Sequence, residues 1–472
     1  MIPALVQLFS TGPGANRTRT GAGMFDLTIA GRLVLPGGVI ADGWLAIADG
    51  KIAAIGEGTA PDATEAVAHP GAWILPGAID GQTHAGSQIG FAGIGPTTAA
   101  ACIGGVTTIV DMPYDDPDPI TTGDLLAQKV TAIGELAHSN VALYGTVPVT
   151  PDPADIAALV AGGVCAFKIS SFEAHPHRFP RIGSGAVLAL FEALRDTGLP
   201  VGIHNEDQEV VRATEAAFRA AGRTRPEDHS PSRPPVAEMS ATATFLELGA
   251  AQGGHAHIVH ISIPEGFDLV AEHRARGERA TAEMCLHYLL FDAAEDMPRL
   301  GAKMKVNPPI RAGLRDALWE VIETGRANFV SSDHSAWGLE RKSSDNIFEV
   351  AAGMPGLETL LPGFFTEALR RTGDGDAAAR LAAALLSEGP ADFFGLSTKG
   401  RLAPGADADL AILAPEPFTY DCKANPDGPG WSAYDGMTFS VRPAATYVGG
   451  QLAYDGRAVT GLTAGTFARR TA

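Results

Sequence analysis

Apolar and polar positions alternate in short bursts at both ends of the chain. From Met24 to about residue 70, the stretches FDLTIAG, RLVLPGGVI, GWLAIADG and KIAAIGEG are rich in apolar and β-branched residues and separated by Gly and Asp turns. This is the pattern of half-buried strands. The same texture returns after residue 400, in GRLAPGADADLAIL and ATYVGGQLAYDGRAV. Two β-rich ends around a long middle predict one small β-sandwich built from both termini.

The middle reads differently. Eight short apolar runs recur there, each ending in polar residues: AWILPGAID, VTTIVDMP, VALYGTVP, VCAFKIS, VGIHNED, AHIVHIS, RATAEMCLHYL and NFVSSDH. Between them lie amphipathic segments that end in glycine, such as AVLALFEALRDTG and SATATFLELGAAQGG. Strand–helix alternation predicts a parallel sheet. Eight repeats over about 320 residues fit an α/β fold of the (β/α)8 or TIM-barrel type with insertions. A doubly wound open sheet is the runner-up, but the GxGxxG that would favour it after the first strand is missing.

The predicted layout is an extension over 1–23 without order of its own, sandwich segments at 24–72 and 401–460, a barrel over 73–400, and a tail at 461–472. The extension lacks the basic start and apolar run of a signal peptide.

Composition narrows the function. A net charge of −19 disfavours nucleic-acid binding, which needs clustered Lys and Arg. No apolar run is long enough for a membrane span. Cys102, Cys165, Cys285 and Cys422 are widely spaced, which fits free thiols in a reducing cytoplasm better than disulfides or a cysteine metal site.

Active sites of such barrels form at the C-terminal ends of the strands. Those ends carry Gln82 and His84 after strand one, Lys168 in strand four, His204 in strand five, His260 in strand six and Asp333 in strand eight. Each alone has a bland explanation. A histidine at a strand end is more often a hydrogen-bonded structural residue, and Asp333 in SSDH resembles a helix cap. Lys168 inside the apolar run AFKIS is harder to dismiss, because a buried ammonium is costly unless paired or chemically altered. Together, at successive strand ends, they predict a metal centre.

The segment ILPGAIDGQTHAG, followed in order by GGVTTIVDMP, AFKIS, VGIHNED, HIVHIS, AEMCLHYL, KVNPPIR, SSDH, GMPGLET and GRLAPGADADLAIL, resembles the cyclic amidohydrolases. These are the dihydropyrimidinase, hydantoinase, allantoinase and dihydroorotase group of the amidohydrolase superfamily. The resemblance runs from Met24 to about Gly456. It implies one metal held by Gln82, His84 and Asp333, a second held by His204 and His260, and Lys168 bridging them as N6-carboxylysine. Neutral imidazoles and anionic oxygens suit zinc, or else manganese. It further implies hydrolysis of a ring C–N bond by metal-bound hydroxide, with Asp333 as general base and then acid. The main chain of Asn307, Ala352 and Gly353 would hold the imide edge of the ring. Independently of the resemblance, His175 in the loop after strand four is a candidate for substrate contact. Relatives of this kind imply a homo-oligomer, a dimer or tetramer.

The chain departs from the family pattern at several positions. Gln82 replaces the first histidine of HxH, which puts the count of bound metals in question. Gly86 replaces the arginine that holds a carboxylate in dihydroorotase-like members. Tyr114 and Asp115 replace an apolar residue and an asparagine, and Glu173 replaces a tyrosine. A hydantoin, dihydropyrimidine, allantoin or related cyclic ureide or imide fits the remainder. The competing reading is a catalytically impaired barrel serving as an assembly or interaction protein. A one-metal deaminase is disfavoured by Lys168. His255 and His257 precede strand six and are expected to face solvent at the opposite end of the barrel. His177, His287, Tyr288, Trp337 and Arg341 are further candidates for the mouth.

Overall fold

The computed structural model describes residues 16–19, 25–424, 426 and 429–471. Eight parallel strands form the barrel: Ala78–Thr83, Val106–Asp111, Asn140–Gly145, Ala166–Ser170, Pro200–His204, His255–Ile258, Ala280–Cys285 and Phe329–Ser331. Each pairs with the next in chain order. Strand eight returns to strand one just beyond its end, where Thr83 bridges His334 and the His84 N–H donates to the His334 carbonyl at 2.9 Å. Almost every strand residue is buried, as expected for a parallel sheet covered on both faces.

The predicted alternation is realised. AVLALFEALRDTG supplies the helix Ser184–Leu194, and SATATFLELGAAQGG lies mostly in Pro235–Gln252, which Gly253 ends in the left-handed conformation. Asp207, two residues beyond the motif's Asn205, caps the helix Gln208–Ala220 by accepting from Val210 N. Extra helices follow strands five and seven, and their loops build the rim of the mouth.

The first apolar run belongs to two elements. Trp73 to Pro76 finish a long strand of the small sheet, Ala63–Pro76, and the barrel strand starts at Ala78. Gly77 permits the break, because a Cβ there would come within 2.1 Å of Thr107 Oγ1.

The terminal segments form one eight-stranded mixed sheet with its own core of Ile29, Leu45, Ile74, Leu410, Ile412 and Tyr447. Strand Ala63–Pro76 joins its halves: it runs parallel to Phe25–Leu35 and antiparallel to Leu410–Ala414. Asp376 fastens this sheet to the barrel's helices by accepting from Trp73 Nε1 at 2.8 Å and Arg32 Nε at 3.2 Å. Within the segment 1–23, Asn16–Arg19 is described, as a strand paired with residues 65–68; the rest of that segment lies outside the described residues. The tail crosses the outside of strand three, with Thr466 O accepting from Val141 N and Ala468 N donating to Val141 O. Among the described residues, no helix is long and apolar enough to cross a membrane.

Candidate active site

A cavity of about 420 Å³ opens at the C-terminal ends of the strands, and every predicted site residue lines it: Gln82, His84, Lys168, His204, His260 and Asp333, with His175, Asn307, Ala352 and Gly353 nearer the rim. Strand geometry brings them there, since each metal-capable side chain lies at or just beyond the end of its strand.

On one side Gln82, His84 and Asp333 meet. Gln82 Nε2 donates to Asp333 Oδ1 at 2.9 Å, and His84 Nε2 lies 3.5 Å from the same oxygen. Gln82 Oε1 is buried and has no partner among the described residues. Burial opposes ionisation of Asp333, but its hydrogen bond with His84 and the neighbouring imidazoles hold it well below the usual carboxylate range. Asp80, two residues before Gln82, locks the junction beneath them. It accepts from the backbone N and Oγ of Ser332 at 2.7 and 2.6 Å, fixing the residue before Asp333 against strand one.

Opposite, His204 Nδ1 and His260 Nε2 point at each other across 3.0 Å. His260 Nδ1 is buried without a partner among the described residues, whereas His204 Nε2 contacts Glu206 Oε2 at 2.9 Å. Both His260 and Asp333 hold left-handed backbone conformations, with φ of 41° and 52°. Such values are uncommon outside glycine and store strain where they occur.

Lys168 is 1% exposed, and its Nζ takes part in no described hydrogen bond or ion pair. Its Nζ lies 5.5 Å from the ring centre of Tyr114 and 5.1 Å from that of Phe179, two rings stacked at 3.8 Å. Burial lowers its pKa from 10.5 to about 8. A lysine in this setting spends an appreciable fraction of time as a free amine, the form that adds carbon dioxide.

A Gln82 amide oxygen without a partner among the described residues, two imidazole nitrogens 3.0 Å apart and a buried lysine therefore face one space. The donor set fits divalent metal, because an amide oxygen, imidazole nitrogens and the Asp333 carboxylate are its ordinary ligands, and Lys168 would join them once carbamylated.

The departures from the family pattern have structural causes. Asp115 is buried in an ion pair with Lys129, at 2.7 Å, which also reaches Asp111 at 2.6 Å. A Cβ on Gly86 would lie 1.9 Å from Asp115 Oδ1, so an arginine at position 86 is sterically closed off. Tyr114 walls the cavity. Glu173 lines it too, but turns its carboxylate toward Arg212 at 3.2 Å.

Other residues are placed more plainly. His175 Nδ1 accepts from the backbone N–H groups of His177 and Arg178, pinning its own turn, and His177 pairs with Asp118 outside the cavity. His287 and Tyr288 are buried and do not line the cavity; the Tyr288 hydroxyl donates to Pro308 O at 2.7 Å. Trp337 and Arg341 do line it, the guanidinium stacked 4.8 Å from the indole. Ala352 O accepts from Trp337 Nε1 at 2.8 Å, and Gly353 N donates to Lys305 O at 2.9 Å.

His255 and His257 correct the sequence-based expectation. They lie at the opposite end of the barrel but not in solvent. Both rings reach Thr281 Oγ1, at 2.9 and 3.0 Å, and both lie against Phe393 from the helix Gly389–Phe394 that covers this end. Burial lowers His255 to about 4 and pushes His257 well below 6.5. A histidine depressed on folding binds more protons when unfolded, so its stabilising contribution is complete above pH 6.5 and is lost as pH falls below it. The slope is at most about 1.4 kcal/mol per pH unit for each ring. The melting temperature should hold steady above pH 7, drop between pH 6.5 and 5, and drop less steeply in His255→Asn. An identical slope in that variant would remove His255 from the effect.

Sequence reasoning missed Glu206 and Arg233. Arg233 Nε and Nη2 grip the two Glu206 oxygens at 2.8 and 2.9 Å, and Arg233 Nη1 reaches Glu215 at 2.8 Å. The only hint was the acidic residue in HNED.

Residues 73–453 match the Amidohydrolase family, and the chain belongs to it. It is similar to curated allantoinases from Rubrobacter xylanophilus (34% identical, covering 94% of this chain and 98% of the relative) and Deinococcus radiodurans (32%, covering 90% and 94%). Among solved structures it is similar to an L-hydantoinase (dihydropyrimidinase) from Arthrobacter aurescens, with a TM-score of 0.88 and 27% identity over 95% of this chain and all of that one.

Proposed function

We propose that this chain hydrolyses a ring C–N bond of a cyclic ureide or imide, with a five-membered ureide of the allantoin or hydantoin kind as the first candidate. The observation that carries this reading is the convergence of Gln82, His84, Lys168, His204, His260 and Asp333 on one cavity. The allantoinase and hydantoinase relatives support it.

In this reading Gln82, His84 and Asp333 would hold one divalent metal and His204 with His260 the other, and Lys168 as its carbamate would supply a further anionic ligand. Zinc suits the donors best and manganese is the second choice. Such metals, when bound, acidify water and polarise the scissile carbonyl.

The chain's own residues do the rest. The described contacts of Asp333 engage Oδ1, which leaves Oδ2 to take a proton from the attacking water and pass it to the departing ring nitrogen. Asn307 Oδ1 is buried and unpartnered, placed to accept a ring N–H. With Ala352 O and Gly353 N already engaged, Ala352 N and Gly353 O are the main-chain groups left for the imide edge. His175 contributes at the rim. Closure of the Gly86 corner argues against a dihydroorotate-like carboxylate clamp. The silent-barrel alternative is not favoured, because the donor set is retained as a unit. Four free thiols support a reducing cytoplasm, and a homo-oligomeric state, dimer or tetramer, completes the proposal.

The test is a hydrolysis screen of purified protein over allantoin, hydantoins, dihydrouracil and cyclic imides, with zinc, manganese or cobalt added. Turnover of at least one ring, abolished by chelation and restored by metal, is expected. Less than about 0.3 metal per chain with no turnover of any ring would sink the reading.

A further inference from the structure

His204 and His260 are chemically unlike although they face each other. A neutral imidazole carries one N–H, and only its bare nitrogen can bind a metal; the partner of the other nitrogen decides which is bare. His260 Nδ1 is buried and unpartnered, so nothing described fixes its tautomer through that atom. His204 Nε2 sits 2.9 Å from Glu206 Oε2. Arg233 sets the chemistry of that contact. It places one N–H on each Glu206 oxygen, at 2.8 and 2.9 Å, and its remaining arm reaches Glu215 at 2.8 Å. Its planar face also lies 4.9 Å from the Phe172 ring centre.

A carboxylate held on both oxygens by guanidinium is a pure acceptor, so His204 Nε2 must be the donor. The bare nitrogen is then Nδ1, the atom turned toward His260.

We infer that Glu206, locked by Arg233, is a positioning residue that presets the His204 tautomer and ring orientation, making Nδ1 a metal ligand before any metal arrives. This rests on the two-metal reading above. It makes the two halves of the second half-site unlike: His204 presents a bare Nδ1, whereas His260 Nε2 carries the proton that it donates to that atom and must give it up to serve as a ligand. Neither Glu206 nor Arg233 need touch metal or substrate. Removing such an outer partner weakens metal binding by about 10–100-fold.

Zinc affinity and stoichiometry measured by chelator competition test the inference, on wild type, Glu206→Gln and Arg233→Met, each checked for native circular dichroism. The expected result is a roughly 10–100-fold weaker second zinc in both variants, with the first zinc and the fold retained. Burying one half of an ion pair can prevent folding. The double variant Glu206→Leu/Arg233→Leu, which removes both charges, then carries the same expectation. Histidine-selective ¹⁵N spectra of metal-free wild type, with His204 assigned by its loss in His204→Gln, should show a protonated Nε2 and a bare Nδ1. Wild-type affinity for both zincs in a folded variant, or a protonated Nδ1 in metal-free His204, overturns the inference while leaving the two-metal reading intact. Failure of the wild type to take up zinc at all overturns both.

Discussion

An Asp333→Asn variant is expected to lose at least about a hundredfold in kcat, within the 10²–10⁴ range of general acid–base catalysis, while folding normally. Asparagine keeps an oxygen where Gln82 Nε2 donates to Oδ1 at 2.9 Å, so that contact survives, and the backbone closure through Thr83 and His334 does not involve the side chain. What disappears is a carboxylate that can take a proton. The relevant comparison is kcat at saturating metal, which separates lost proton transfer from weakened metal binding. Activity within tenfold of wild type would remove Asp333 from the mechanism.

The second large effect should come from Lys168→Met, and it should run in opposite directions for activity and stability. Methionine fills a similar volume but cannot form a carbamate, so metal content should fall and turnover should drop by three orders of magnitude or more. The metal-free protein should nonetheless become harder to unfold. With its pKa lowered from 10.5 to about 8, Lys168 is charged at pH 7 in a site that disfavours charge. That penalty amounts to about 3 kcal/mol at pH 7 and is relieved as pH rises through 8 to 10.5. Denaturant melts of metal-free wild type and variant at pH 7 check this. A folded Lys168→Met protein with wild-type turnover and no gain in stability would contradict both halves.

The architecture was legible because the chemistry sits where apolar runs end. AFKIS, VGIHNED and HIVHIS each announce a buried strand and then break its pattern with Lys168, His204 or His260, and the structure gathers these into one cavity. Three things could not be read this way. AWILPGAID looks like one strand, but its break at Gly77 depends on Thr107 from the neighbouring strand. The burial of His255 and His257 depends on Phe393, more than 130 residues away in sequence, so the strand's own alternation gave no warning. Arg233 reaches Glu206 from a loop between two helices, a contact of tertiary origin that no local spacing encodes. Gly86 was visible as a missing arginine; only the structure shows that Asp115 occupies the space.

The left-handed backbones of His260 and Asp333 bear on how this enzyme would respond to selection. Strain of this kind costs about 1–3 kcal/mol per residue, and glycine would relieve it for an entropic cost of about 0.5–1 kcal/mol. A library screened for heat resistance alone would therefore be drawn toward glycine at positions 260 and 333, enriching for durable proteins that no longer turn over. Directed evolution of this barrel needs an activity gate in every round, because robustness and turnover pull these two positions apart.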